Sequence, residues 1–359
     1  MIITIIAGAR PNFMKVAPII HEIKKRENIN FRLIHTGQHY DKNLSDTFFK
    51  ELNIPYPHVN FNVGSGTQSE QTGAIMVAFE KELETNPTDV VLVVGDVTST
   101  MSCSIVAKKT NTKLVHVEGG IRSFDLTMPE EINRMVTDSI SDYFYVTSEV
   151  AVNNLLDIGK NKSQIVFVGN TMIDTLIANM DKLRQPKIWN TLKLKPNNYI
   201  VMTMHRPANV DEQNKLKEFL FEISENAKNN PVIFPIHPRT KNILNKLNIS
   251  YHNIHFIEPL GYLEFNYLVK NAKCVITDSG GITEETTYLG IPCLTLRDNT
   301  ERPETVDVGT NFLVGTNPKA ISENLKSILN NRWKKGEIPQ LWDGKTSERI
   351  VNHLLKIQI

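Results

Sequence analysis

Cysteine is scarce: there are three in 359 residues, Cys103, Cys274 and Cys293, far apart and each inside an apolar stretch. No CxxC pair is present. That argues against a zinc site or a disulfide framework and for buried, reduced thiols in a cytosolic chain. Charge of one sign is also missing, since 40 Lys and Arg face 39 Asp and Glu for a net charge of +1. No broad field draws nucleic acid or an anionic membrane, so any anion must be held by a local site. No apolar run approaches the ~18 residues of a membrane span. The opening MIITIIAGARPNF has no basic residues ahead of its apolar run and continues into Gly8-Ala9-Arg10-Pro11. It reads as a core strand rather than a signal peptide, and the expected location is cytoplasmic. There are no repeats, no low-complexity tracts and no GxGxxG.

What is present is an ordinary globular composition, 40% hydrophobic and 22% charged. The length exceeds what one core supports, roughly 250–300 residues, so two domains are expected. Apolar, β-rich runs recur at Ile2–Ala7, Phe31–Thr36, Val90–Gly95, Lys113–Glu118, Tyr143–Thr147 and Ile165–Val168. A second set follows at Tyr199–Met204, Val232–Ile236, Ile254–Ile257, Cys274–Thr277, Cys293–Leu296 and Phe312–Val314. The runs are continuous rather than alternating, as in strands covered on both faces. Two six-strand sets with helical stretches between them predict two doubly wound, Rossmann-like α/β domains. The expected division is 1–170, completed by a returning C-terminal helix in 345–359, and 171–344. The polar segment from Gln185 to Asn198 reads as the connection, and Ser347–Ile357 as the last helix.

Doubly wound sheets bind ligands beyond the carboxyl ends of their strands. The stretch DSGGITEE, 278–285, follows one such strand and opens a helix. Unpaired N–H groups at that helix end suit a phosphate, Gly280 and Gly281 permit close approach, Ser279 offers a hydroxyl, and Glu285 has the reach to meet a sugar diol. The plainer reading is a capped helix, with Asp278 or Ser279 as cap. Gly8–Lys15 places Arg10 and Lys15 after the first strand, where two cations suit a diphosphate or are simply surface charges; Pro18 is expected to delay or kink the helix that follows. Asp96, in GDVTST, caps a helix or faces the crevice. His116 and Glu118 end a strand just before a glycine pair. Pro129 opens a helix with Glu130 and Glu131 in its first turn, and one of these acids is expected to be structural. In the second half, His205-Arg206, His237 with Arg239, and Arg297, Glu301 and Arg302 follow strands. Carboxylates from one half and a phosphate-ready turn from the other fit chemistry at a nucleotide-linked sugar across an interdomain cleft.

Together GARPNFMKVAPI, GDVTST, HVEGGIRSFDLTMPEEINR, VGNTMIDTL, TMHRPANV, DSGGITEE and RDNTERPETVDVGTN resemble the bacterial and archaeal non-hydrolysing UDP-N-acetylglucosamine 2-epimerases. The resemblance spans about residue 2 to 315. It implies the two-Rossmann arrangement called GT-B, a C-terminal helix returning to the first domain, and a cytoplasmic homodimer. The implied reaction interconverts UDP-GlcNAc and UDP-ManNAc through a 2-acetamidoglucal, supplying ManNAc-type sugars for cell-surface polysaccharide. It needs no cofactor and no metal. Matched by motif, Asp96, Glu118, Glu130 and His205 are the catalytic positions, while Arg10, Lys15, His237, Ser279, Gly280, Gly281, Glu285 and Arg302 contact the UDP-sugar. Which carboxylate removes the proton stays open.

The pattern also departs from the family. QHYDKN (Gln38–Asn43) has Asp41 where the allosteric members have a second glutamine, and GSGTQSEQTG (Gly64–Gly73) lacks their Arg-Gln pair. EPLGY (Glu258–Tyr262) lacks a glutamine before Tyr262 that helps seat the uracil or sugar. The alternatives are a 2-epimerase for a related UDP-sugar such as UDP-2,3-diacetamido-glucuronate, a hydrolysing variant, a GT-B glycosyltransferase, or a sensor without chemistry.

Overall fold

The computed structural model describes residues 1–37, 49–236, 238–246 and 250–358. The chain forms two compact units, Met1–Ala178 with Gln340–Ile359, and Asn179–Pro339. The expected limits were 170 and 344; the whole of Thr171–Ala178 and the five residues from 340 lie with the first unit.

The first unit is built on parallel strands β1 (Ile2–Ala7), β2 (Asn30–His35), β3 (Val59–Asn60), β4 (Val90–Val94), β5 (Lys113–Val117), β6 (Tyr143–Val146) and β7 (Ile165–Phe167). Their order is β3-β2-β1-β4-β5-β6-β7. Six of these were expected; β3 is a seventh, and at two residues it is too short to show a period. All five side chains of β4, Val-Val-Leu-Val-Val, are buried, as continuous apolar runs require when helices cover both faces. The order turns back between β1 and β4, so the switch point lies where Gly8–Lys15 and Gly95-Asp96 leave the sheet.

Pro18 does not delay its helix, which runs from Arg10 to Ile23 with Pro11 in the first turn and Pro18 inside. A proline at 18 has no N–H for the carbonyl of Met14 four residues back. That oxygen instead accepts from Thr175 Oγ1 at 2.6 Å. The last helix, Thr346–Leu354, buries Ile350, Val351 and Leu354. Its amino end is capped by Asp174, which accepts from the N–H groups of Thr346 (3.1 Å) and Ser347 (2.7 Å) and from Ser347 Oγ (2.8 Å).

In the second unit β8 (Ile200–Thr203), β9 (Val232–Pro235), β10 (Ile254–Ile257), β11 (Cys274–Thr277), β12 (Cys293–Thr295) and β13 (Asn311–Leu313) are parallel in the order β10-β9-β8-β11-β12-β13. The switch point here is between β8 and β11, which places His205 and Arg206 beside Asp278–Gly281. Cys103, Cys274 and Cys293 are buried free thiols. Among the described residues, no helix is long and apolar enough to cross a membrane.

Candidate functional site

At the switch point of the first unit, Lys15 Nζ donates to Glu118 Oε2 at 2.7 Å. Glu118 is 3% exposed. It adopts φ +68°, in the left-handed region that costs a non-glycine residue about 1–3 kcal/mol and clusters at functional sites. Beside it Gly95 has φ +69°, and a β-carbon there would lie 3.2 Å from Lys15 Nζ and 4.0 Å from Glu118 Oε2. Glycine at 95 thus leaves room for the Lys15–Glu118 pair.

Asp96 does not cap the next helix. The cap of Thr98–Lys109 falls on Val97, with no side-chain hydrogen bond. Asp96 Oδ2 instead accepts from Arg134 Nη2 at 2.5 Å, and Asn133 Nδ2 donates to the Asp96 carbonyl at 2.8 Å. Of the acid pair opening the helix Pro129–Ile140, Glu131 is the structural one. It accepts from Ser123 N (2.9 Å), Ser123 Oγ (3.0 Å), Phe124 N (3.2 Å) and Arg134 Nη1 (2.7 Å). Burial alone would raise the Glu131 carboxyl, but the Ser123 and Arg134 donors outweigh it and hold it below the usual range. Glu130, half-buried, has no hydrogen bond or ion pair to the described residues. Arg10 is the exposed first residue of the helix that carries Lys15.

In the second unit the cap falls on one of the two expected residues, but without the expected side-chain bond. Ser279 is the N-cap of Gly280–Leu289 with no side-chain cap bond. Asp278 turns away from the helix to accept from the backbone of His205 (3.0 Å) and Arg206 (2.9 Å), from Asn209 Nδ2 (3.1 Å) and from His205 Nδ1 (2.7 Å). Burial on its own would raise its carboxyl; His205, Arg206 N–H and Asn209 together lower it. The His205 ring is 59% exposed and, with Nδ1 committed to Asp278, presents Nε2 to a ligand. Among the described residues, nothing beyond the helix's own backbone and the adjoining residues lies within 4 Å of where a β-carbon on Gly280 would stand, so the helix end is open there. An open helix amino end is a place for an anion.

Glu285, one turn further in, is buried against Tyr262 Oη (2.9 Å) and Asn266 Nδ2 (3.3 Å). Burial foremost pushes its carboxyl up to about 7, against the pull of those two donors. Arg302 Nε donates to Glu284, and Arg297 pairs with Glu301 through its two terminal nitrogens, Nη1 and Nη2, at 2.7 and 2.8 Å. His237 and Gln38–Asn43 lie outside the described residues.

The structure therefore joins Lys15 to Glu118, and it adds Arg134, Asn133 and Asp278, which the sequence reading did not select. Arg134 was detectable in principle: it lies three residues after Glu131 and four after Glu130 on one helix, the spacing of facing side chains.

Two doubly wound parallel sheets, one bearing acid–cation pairs at its switch point and the other an open helix end, define an enzyme of the GT-B architecture. The chain belongs to the UDP-N-acetylglucosamine 2-epimerase family, an isomerase family whose model matches residues 21–355. It is 44% identical to the UDP-N-acetylglucosamine 2-epimerase of Methanocaldococcus jannaschii, with 99% of each chain covered. A crystal structure of the M. jannaschii enzyme in complex with UDP-GlcNAc and UDP matches with a TM-score of 0.89 at 43% identity, over 99% of this chain and 100% of that one. The chain is also 35% identical to a UDP-2,3-diacetamido-2,3-dideoxy-D-glucuronate 2-epimerase of Pseudomonas aeruginosa, again with 99% of each covered.

Proposed function

We propose that this protein interconverts UDP-GlcNAc and UDP-ManNAc without hydrolysis, as a cytoplasmic homodimer supplying ManNAc-type sugars for cell-surface polysaccharide. In the forward direction a carboxylate takes the proton from sugar carbon 2. The C1–O bond breaks with its electron pair leaving on UDP, and a 2-acetamidoglucal results. A second acid protonates carbon 2 from the opposite face, and the diphosphate oxygen returns to carbon 1. Carbon 2 has no adjacent carbonyl to acidify it, so the departing diphosphate must draw the electrons. That calls for dipoles and cations fixed in advance where charge develops.

The labour divides between the units. Glu118 and Glu130 handle the protons, and Asp96, set by Arg134, assists elimination. His205 Nε2, its ring fixed by Asp278, steadies the leaving diphosphate. Ser279, Gly280 and Gly281 receive the diphosphate, Glu285 the ribose, and Arg10, Lys15, His237 and Arg302 add further contacts. The observation that carries the reading is the strained, buried Glu118 with Lys15 2.7 Å away at the strand switch point.

Incubation with UDP-GlcNAc in heavy water, read by NMR, tests it. Deuterium at carbon 2 together with the UDP-ManNAc isomer supports the reading. Free ManNAc and UDP point to a hydrolase, and no deuterium uptake refutes epimerisation. The Pseudomonas relative gives one specific reason to run UDP-2,3-diacetamido-glucuronate alongside.

A further inference from the structure

Asp96 and Glu118 are on turns, and turns alone do not hold a reacting group to about 0.5 Å. Beneath them lies a buried charge cluster that the proposed reaction does not use. His116 is on β5, two residues before Glu118, and is fully buried. Its Nε2 is 2.8 Å from the carbonyl oxygen of Gly95, and its Nδ1 is 2.7 Å from Asp138 Oδ1. The other Asp138 oxygen accepts from Gly120 N–H at 3.0 Å and from Arg122 Nη1 at 2.6 Å. Burial by itself would raise the Asp138 carboxyl, yet His116 and Arg122 hold it below the ordinary range, so it is a carboxylate and only accepts. A peptide carbonyl has no hydrogen to give either. Both ring nitrogens must therefore donate.

We propose that His116 is a positioning residue for the epimerisation: an imidazole protonated on both nitrogens that aims Asp96 with one and Glu118 with the other. The inference rests on the reaction proposed above. The Gly95 carbonyl belongs to the peptide bond whose nitrogen is that of Asp96, so fixing it sets the direction in which the chain enters Asp96. The second nitrogen acts through Asp138 on the turn that follows Glu118. That turn has no slack. A β-carbon on Gly119 would be 3.3 Å from Asp138 Oδ1, and one on Gly120 would be 2.3 Å from the Ala151 carbonyl. With both nitrogens committed, His116 does not carry protons to or from substrate, although its place at a strand end invites that role.

Nitrogen-15 NMR of histidine-labelled wild-type protein near neutral pH, assigned against His116→Gln, reads the ring directly. Two protonated nitrogens are expected, and one bare nitrogen overturns the proposal whatever the enzyme's activity. His116→Phe keeps the ring volume without donors. It is expected to lower kcat about 100-fold, the scale of a misplacement of about 1 Å. KM for UDP-GlcNAc should stay within about threefold, and the pH profile should keep both limbs. His116→Gln, which retains one donor for Gly95, should recover about tenfold, the worth of one hydrogen bond. A His116→Phe kcat within about threefold of wild type, or the loss of one limb, overturns the proposal. Should His116→Phe fail to fold, His116→Gln takes its place: about a tenfold loss in kcat is expected, and a kcat within about threefold of wild type overturns the proposal. Failure of the wild-type enzyme to form isomer refutes the reaction itself, and the NMR result remains separately readable.

Discussion

At the switch point of the first sheet, Glu118 faces Lys15, Asp96 faces Arg134, and Asp138 lies between His116 and Arg122. At the switch point of the second sheet, Asp278 spends its oxygens on two backbone N–H groups, an amide and His205, and Glu285 is turned onto a tyrosine and an asparagine. The two sheets share a topology and differ in what their charges do. In the first unit, cations from one segment orient carboxylates from another, which suits groups that must move protons. In the second, Asp278 is drawn away from the amino end of the helix Gly280–Leu289, which is left open among the described residues, while Glu284 is held by Arg302. On the proposed reading, one fold carries an acid–base face and a phosphate face, set by side chains alone.

Breaking the acid–base face has the largest consequence. Glu118→Gln is expected to lower kcat about 1,000-fold and to stop deuterium uptake at carbon 2. UDP affinity, measured by calorimetry, should move less than about threefold, because Lys15 alone of the residues assigned to UDP is described in contact with Glu118. A parallel collapse of UDP binding would erase the contrast between the faces.

Glu285 tests the phosphate face through pH. Its folded pKa, about 7, is above the unfolded value of about 4.3. Between those values the folded protein holds a proton that the unfolded chain has released. The stability this contributes is complete below about pH 4.3 and is lost as pH rises through about 7. Glu285→Gln should remove that slope, a difference on the order of 4 kcal/mol between the ends of the window. Urea unfolding of both proteins at several pH values reads it, and identical slopes would show that the carboxyl is not raised.

Asp278→Ala strands the donors that Asp278 now satisfies. We expect a loss of about 2 kcal/mol in unfolding of the second unit, together with weaker UDP binding as His205 comes loose. Retained UDP affinity would mean that the orientation of His205 does not matter to the diphosphate. The smallest effect belongs to scaffold rather than face. Thr175→Val leaves the Met14 carbonyl without the donor that replaces Pro18 N–H, for a loss of about 1 kcal/mol in thermal unfolding and no change in kcat.

The strands were legible in the sequence because apolar runs such as Val90–Val94 need burial on both faces, and that need is local. β3 was not legible, since two residues show no period. Pro18 misled, because a proline inside a helix is costly only until something else satisfies the carbonyl it frees, and Thr175 is 157 residues further along. The motif spacing singled out Asp96 and Glu118 but attached no partner to either. Lys15 and Glu118 are 103 residues apart and meet only when β1 and β4 are neighbours and β5 lies on the far side of β4. Asp278 and Asp96 each had a plausible cap to make locally, and each found stronger donors across the sheet.

By itself the sequence determined the two parallel sheets, the strand ends where chemistry gathers, and the set of acids, cations and glycines found there. Periodicity and turn chemistry act over a few residues, so a linear string records them. Tertiary structure alone decided which acid meets which cation, that Glu131 rather than Glu130 is consumed by the scaffold, and that His116 has both nitrogens engaged. Those outcomes depend on strand order, which brings distant segments within about 3 Å, the range in which a hydrogen bond selects one partner and excludes the rest.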